Sequence, residues 1–121
     1  MPKLKLKIDL SSQEEKSKYE LIGNLNKEKN ILTYFEPTEE KTKVEYLYDE
    51  NILRRSNSSL DMEYRFDTNK ETEGIITVKD LNKTLYVKLK TIKLEINDHN
   101  IKIKFSVENQ EFVYSIKVKE N

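Results

Sequence analysis

Two arginines stand side by side in "NILRRSNSSLDMEYRF", Asn51 to Phe66, in a chain with one further arginine, Arg65, and nineteen lysines. A guanidinium is a rigid fork of N–H donors that matches a carboxylate or phosphate. The doublet is therefore open to four readings: an anion clamp, a nucleic-acid contact, a buried ion pair, or solvent-facing charge. If the segment is a strand, neighbouring side chains point to opposite faces. Arg54 and Arg55 then cannot form one clamp, because one looks inward and the other outward.

Other residues with chemical potential are sparse. His99 is the single histidine and lies in "NDHN" between two alternating segments, where a turn role is expected ahead of a catalytic one. Cysteine is absent, so thiolate chemistry and a disulfide framework are excluded, and the nitrogen and sulfur ligands of a typical zinc site are missing. The acid pairs Glu14-Glu15, Glu39-Glu40 and Asp49-Glu50 fall in or beside loops, where solvated charge is expected. No glycine-rich phosphate loop or nucleophile elbow occurs. Neither an enzyme nor a metal or other cofactor is expected.

The elements that must carry these residues follow from a period of two. In "KLKLKIDL", Leu4, Leu6, Ile8 and Leu10 alternate with charged residues, the pattern of a half-buried strand. It returns at Leu60–Phe66, Leu85–Leu89, Ile101–Val107 and Phe112–Val118, and more weakly at Tyr19–Leu25, Ile31–Phe35, Val44–Tyr48 and Ile75–Val78. No segment of similar length has helical spacing, and alanine, the best helix former, is absent. Short links such as "YDEN", "NDHN" and "ENQE" place Asn or Asp where a positive φ is needed. An all-β fold is predicted, a single antiparallel meander of about 8–10 strands closed into a barrel over residues 1–121. The apolar parity shifts between Leu89 and Ile92, which predicts a bulge close to Thr91, a device typical of barrel corners.

Composition supports one folded domain. Charged residues are 36%, yet Leu, Ile, Val and Phe stay above the level at which a chain fails to collapse. Formal net charge is zero, with basic ends and an acidic middle. No apolar run has signal-peptide or membrane-span length, so a cytoplasmic protein with no membrane partner is expected. Lys3, Lys5, Lys7, Lys102, Lys104, Lys117 and Lys119 share the outward parity of their strands and would form a basic wall if the first and last strands were neighbours. Phe105, Phe112 and Tyr114 take the inward parity, which removes the stacking platform of a single-strand nucleic-acid binder. The lysines are read as protection of β edges, and no nucleic-acid partner is expected.

Four stretches, "TYFEP" (33–37) leading into "TKVEY", "ILRR" (52–55), "LDMEY" (60–64) and "LKTIKLEI" (89–96), occur in an order that resembles the YwiB-like family of uncharacterised bacterial proteins. These are small calycin-type barrels related in architecture to lipocalins. The likeness spans nearly the whole chain, with Ser56 and "DLNK" standing where the family carries glycines. It implies a lipocalin-like barrel and a bacterial, intracellular setting, with no activity to transfer. It also favours Arg54, on the face of Ile52, as the inward arginine, with Glu36 at the end of "TYFEP" as its partner. Tyr34, Tyr64 and Thr91 complete the candidate ligand-binding set. Two functions remain open: a barrel that binds a small amphipathic or anionic ligand, and a filled barrel serving as an interaction or structural module.

Overall fold

The computed structural model describes residues 3–119. Ten strands follow one another: β1 (Lys3–Ser12), β2 (Lys16–Asn26), β3 (Ile31–Phe35), β4 (Lys43–Leu47), β5 (Ile52–Ser56), β6 (Leu60–Arg65), β7 (Thr72–Val78), β8 (Lys83–Asn97), β9 (Asn100–Val107) and β10 (Gln110–Lys119). Each pairs antiparallel with the next, and β10 returns to pair with β1, so the sheet closes as an up-and-down barrel. The only helical element among the described residues is the 3₁₀ turn Lys79–Leu81 between β7 and β8. All the strongly alternating segments are strands, as the period of two predicts.

Turn chemistry holds the links short. The two-residue links Asp98-His99 and Glu108-Asn109 both have positive φ at each position, the geometry that matches the twist of a tight hairpin. Asn30, Asn51 and Asn82 also take positive φ, while neither glycine does. Asn and Asp thus take most of the turn work that glycine usually does, with Lys41, His99 and Glu108 at the remaining positive-φ positions among the described residues. The predicted bulge lies in the β8–β9 ladder, where the register shifts between Thr91 and Lys93 and leaves Ile92 as the extra residue, 42% exposed. Ile92 is therefore not an inward residue, contrary to its expected parity; Leu94, opposite Ile103, resumes the inward series.

Inside, register aligns side chains into rings. One runs Leu25, Leu32, Tyr46, Leu53, Tyr64, Gly74, Val87 across β2 to β8. Leu32, Val44, Leu89, Ile103 and Ile116 are fully buried in a continuous core. Leu85, expected inward, keeps that parity in the next ring but is 43% exposed, because the β7–β8 hairpin runs past the packed region.

Gly74 faces Tyr64 on one side and Val87 on the other, and a Cβ there would come within 2.7 Å of the Tyr64 ring and 2.8 Å of Val87 Cγ2. Its missing side chain is what lets the ring lie flat across β7. Gly74→Ala is expected to destabilise the fold by about 1–3 kcal/mol through overpacking, read as a lower urea midpoint. An unchanged midpoint would contradict this close approach.

Candidate functional site

The links 13–15, 36–42, 57–59, 79–82 and 108–109 gather at one end of the barrel, and beneath them the core opens into a cavity of about 280 Å³. Its wall comes from strand ends: Leu10 of β1, Ser17 and Tyr19 of β2, Tyr34 of β3, Leu53 and Arg55 of β5, Met62 and Tyr64 of β6, Phe105 of β9, and Phe112 and Tyr114 of β10. Glu15 and Glu36 reach it from the links. Phe105 is the centre of the aromatic side, stacked on Phe112 at 5.5 Å and meeting the edges of Tyr64 and Phe66 at 6.0 and 5.1 Å.

The inward arginine is Arg55, which corrects the expectation for Arg54. Val44 and Tyr46 point inward from β4, and β5 sets Arg55 opposite Val44 and Leu53 opposite Tyr46. Arg55 Nη2 donates to Glu36 Oε1 at 2.7 Å, with the two side chains 30% and 12% exposed. Glu36 is thus the partner that was expected, but of the other arginine. Arg54 lies on the outer wall, where its Nε donates to Glu63 Oε1 at 2.8 Å. The resemblance, not the alternation, favoured Arg54, and "ILRR" alone does not decide because it is apolar on both faces: Ile52 and Leu53 are both buried, but only Leu53 belongs to the interior cluster.

Tyr34 and Tyr64 line the cavity as expected, and Thr91 does not. Thr91 is buried on the inward face of β8, where its Oγ1 accepts the Asp67 N–H at 3.0 Å and tethers the 66–71 link. Tyr114, which parity placed inward but not in the site, shares a hydrogen bond of 2.6 Å with Tyr34 between the two hydroxyls. One hydroxyl donates to the other, so one O–H proton of the pair is left over. His99 sits at the opposite end, its Nε2 3.3 Å from Asn30 Oδ1 and its ring against Tyr48. Among the described residues, no group of three or more His, Cys, Asp or Glu is placed to hold a metal ion.

Burial drives the tyrosine electrostatics. It pushes the phenols of Tyr34, Tyr46, Tyr48 and Tyr114 well above the usual tyrosine range. Tyr64 is also raised by burial, with Arg55 drawing it back down. Because these pKa values are higher folded than unfolded, their contribution is complete below the unfolded value, about 10, and is lost as pH rises beyond it. Each such tyrosine removes roughly 1.4 kcal/mol per pH unit there. The tyrosinate absorbance of these residues should therefore appear together with loss of the β circular-dichroism signal. Full ionisation near pH ~10 in a still-folded barrel would contradict the burial.

The two arginines give a sharper test. Arg55→Ala leaves Glu36 largely buried without its partner and should cost about 1–3 kcal/mol. Arg54→Ala removes an exposed pair and should cost about 0–1 kcal/mol. Equal unfolding midpoints for the two variants would contradict the assignment.

These observations define a closed, ten-stranded, up-and-down barrel with a polar-ended cavity at one mouth. No protein-family model and no curated protein matches the chain. Its fold is similar to the crystal structure of the ywiB protein from Bacillus subtilis, with a TM-score of 0.69 and 19% sequence identity over 98% of this chain and 90% of that one. The likeness bears on the fold, and that fold is the barrel implied by the order of "TYFEP", "ILRR", "LDMEY" and "LKTIKLEI". Among the described residues no helix is long and apolar enough to cross a membrane.

Proposed function

We propose that the barrel binds a small amphipathic molecule, its apolar body against the aromatic side of the cavity and its polar end against Arg55 and Glu36. The observation that carries this reading is the convergence of that ion pair and the Tyr34–Tyr114 hydroxyls on one preformed, mostly apolar chamber. Among the described residues, one side-chain hydrogen bond engages the Arg55 guanidinium and no buried side-chain polar atom lacks a partner, so its remaining donors reach open space. At about 280 Å³ the chamber holds the equivalent of roughly nine waters. That suits a single substituted ring rather than a long acyl chain.

Charge refines the ligand. Arg55 is already matched by Glu36, and Glu15 adds a second carboxylate to the wall, so a simple anion meets no excess of positive charge. A neutral group that both donates and accepts, such as a carboxamide, fits the pair better than an anionic head. We read the protein as a cytoplasmic binding module rather than an enzyme. His99 occupies a hairpin link away from the cavity, and the outer wall carries lysines where a membrane barrel has an apolar band.

The test combines native mass spectrometry of the purified protein with thermal shifts in benzamide and benzoate. A low-mass compound released on denaturation, and a larger rise in Tm with benzamide than with benzoate, is the expected result. A ligand at a hundred times its Kd stabilises by about 2.7 kcal/mol. Met62→Trp, which fills the chamber, should abolish both effects. No carried compound and no shift with either probe would contradict the proposal in favour of a barrel without a ligand.

A further inference from the structure

Closure of the barrel removes the edge-protecting reason for the lysines on its outer wall. Alternating lysines guard an unpaired strand edge, but β1 is hydrogen-bonded to β2 on one side and β10 on the other. The register instead sets Lys5 directly opposite Lys119 and Lys7 directly opposite Lys117. Like charges so opposed destabilise a sheet. A third opposed pair, Lys93 and Lys104, is relieved by Glu95 at 3.0 Å and Glu111 at 3.8 Å. Among the described residues, no carboxylate lies within 4.0 Å of Lys5, Lys7, Lys117 or Lys119.

We propose that this lysine quartet is the docking surface for an extended acidic segment of a partner protein. Charge complementarity supplies the attraction, and strand geometry supplies the spacing. Lys5 and Lys7 are two residues apart on β1, about 6.7 Å, which is the repeat of same-face side chains along any extended chain. Acidic residues at alternate positions of the segment therefore meet successive lysines. Ile22, 63% exposed and paired with Lys5 across β1–β2, offers an apolar contact beside the charges. It borders a depression of about 390 Å³ shared with Lys5, Lys7 and Lys119. Glu20, opposite Lys7, limits the basic surface on that side. A single nucleic-acid strand would find no stacking platform here, because Phe105 and Tyr114 are buried inside and Phe112 packs against that core.

Fluorescence anisotropy at low salt tests the proposal, with a labelled peptide of alternating Glu and Val, labelled oligothymidylate, and vesicles containing phosphatidylserine as probes. The peptide should bind saturably and weaken with salt. The double variant Lys5→Glu, Lys117→Glu should bind it on the order of tenfold less tightly, while Lys70→Glu, Lys83→Glu, with the same charge change on the β6–β7 link and at the start of β8, should not. The first variant should also have a raised Tm, since each opposed Lys–Lys pair becomes Glu–Lys. Absence of saturable peptide binding, equal loss in both variants, or tighter binding to oligothymidylate or vesicles would overturn the proposal. A lowered Tm in the first variant would do so too, by marking the lysines as structural.

Discussion

The pairing of β1 with β10, running from Lys5 opposite Lys119 to Ser12 opposite Phe112, is the contact on which the rest of the barrel depends. Without it the meander is an open sheet with one apolar face in water and two unpaired edges. With it, every inward residue gains neighbours on both sides, and a slip of one residue anywhere would turn a whole strand's apolar set outward. Parity becomes a global property. That is why a charged residue such as Arg55 is carried inside: the register of its strand is held by Leu53 against Tyr46 and Tyr64, and the arginine follows.

The two ends of the barrel then resolve differently. At the end bearing the 98–99 link, Tyr46, Tyr48 and His99 stack edge to face, and the Tyr48 hydroxyl donates to the His99 carbonyl at 2.8 Å, so aromatic packing closes the interior. At the other end, polar groups enter in pairs: Arg55 with Glu36, and Tyr34 with Tyr114. Each pair relieves the cost of burying its members. Neither fills the space between them, and the cavity is what remains. The outer wall reverses this logic, because there Lys5 faces Lys119 and Lys7 faces Lys117 with no carboxylate within 4.0 Å among the described residues.

The strands were legible because alternation is a local signal: Leu4 to Leu10 or Ile101 to Val107 declare their faces without reference to any partner. The bulge beside Thr91 was legible for the same reason, as a break in parity. The site was less so. Tyr34 and Tyr64 could be placed from their own strands and Glu36 from its step of two beyond Tyr34, but "ILRR" is ambiguous alone, and its face is decided by β4. The four-residue link "YDEN" carries that signal, since a hairpin turning over 48–51 pairs Tyr46 with Leu53 and Val44 with Arg55. Tyr114 and Phe112 come from the far end of the chain and join the site only through closure. Thr91 was drawn in by resemblance, whereas its hydroxyl is committed to the Asp67 backbone.

The central claim is that Arg55 and Glu36 act as one coupled pair at the cavity. A double-mutant cycle on unfolding free energy, using Arg55→Met and Glu36→Gln, measures that coupling directly. The account predicts a coupling of about 1–3 kcal/mol for this pair and less than about 0.5 kcal/mol for the matched cycle of Arg54→Met with Glu36→Gln. Additive effects in the first cycle, or the larger coupling in the second, would contradict it.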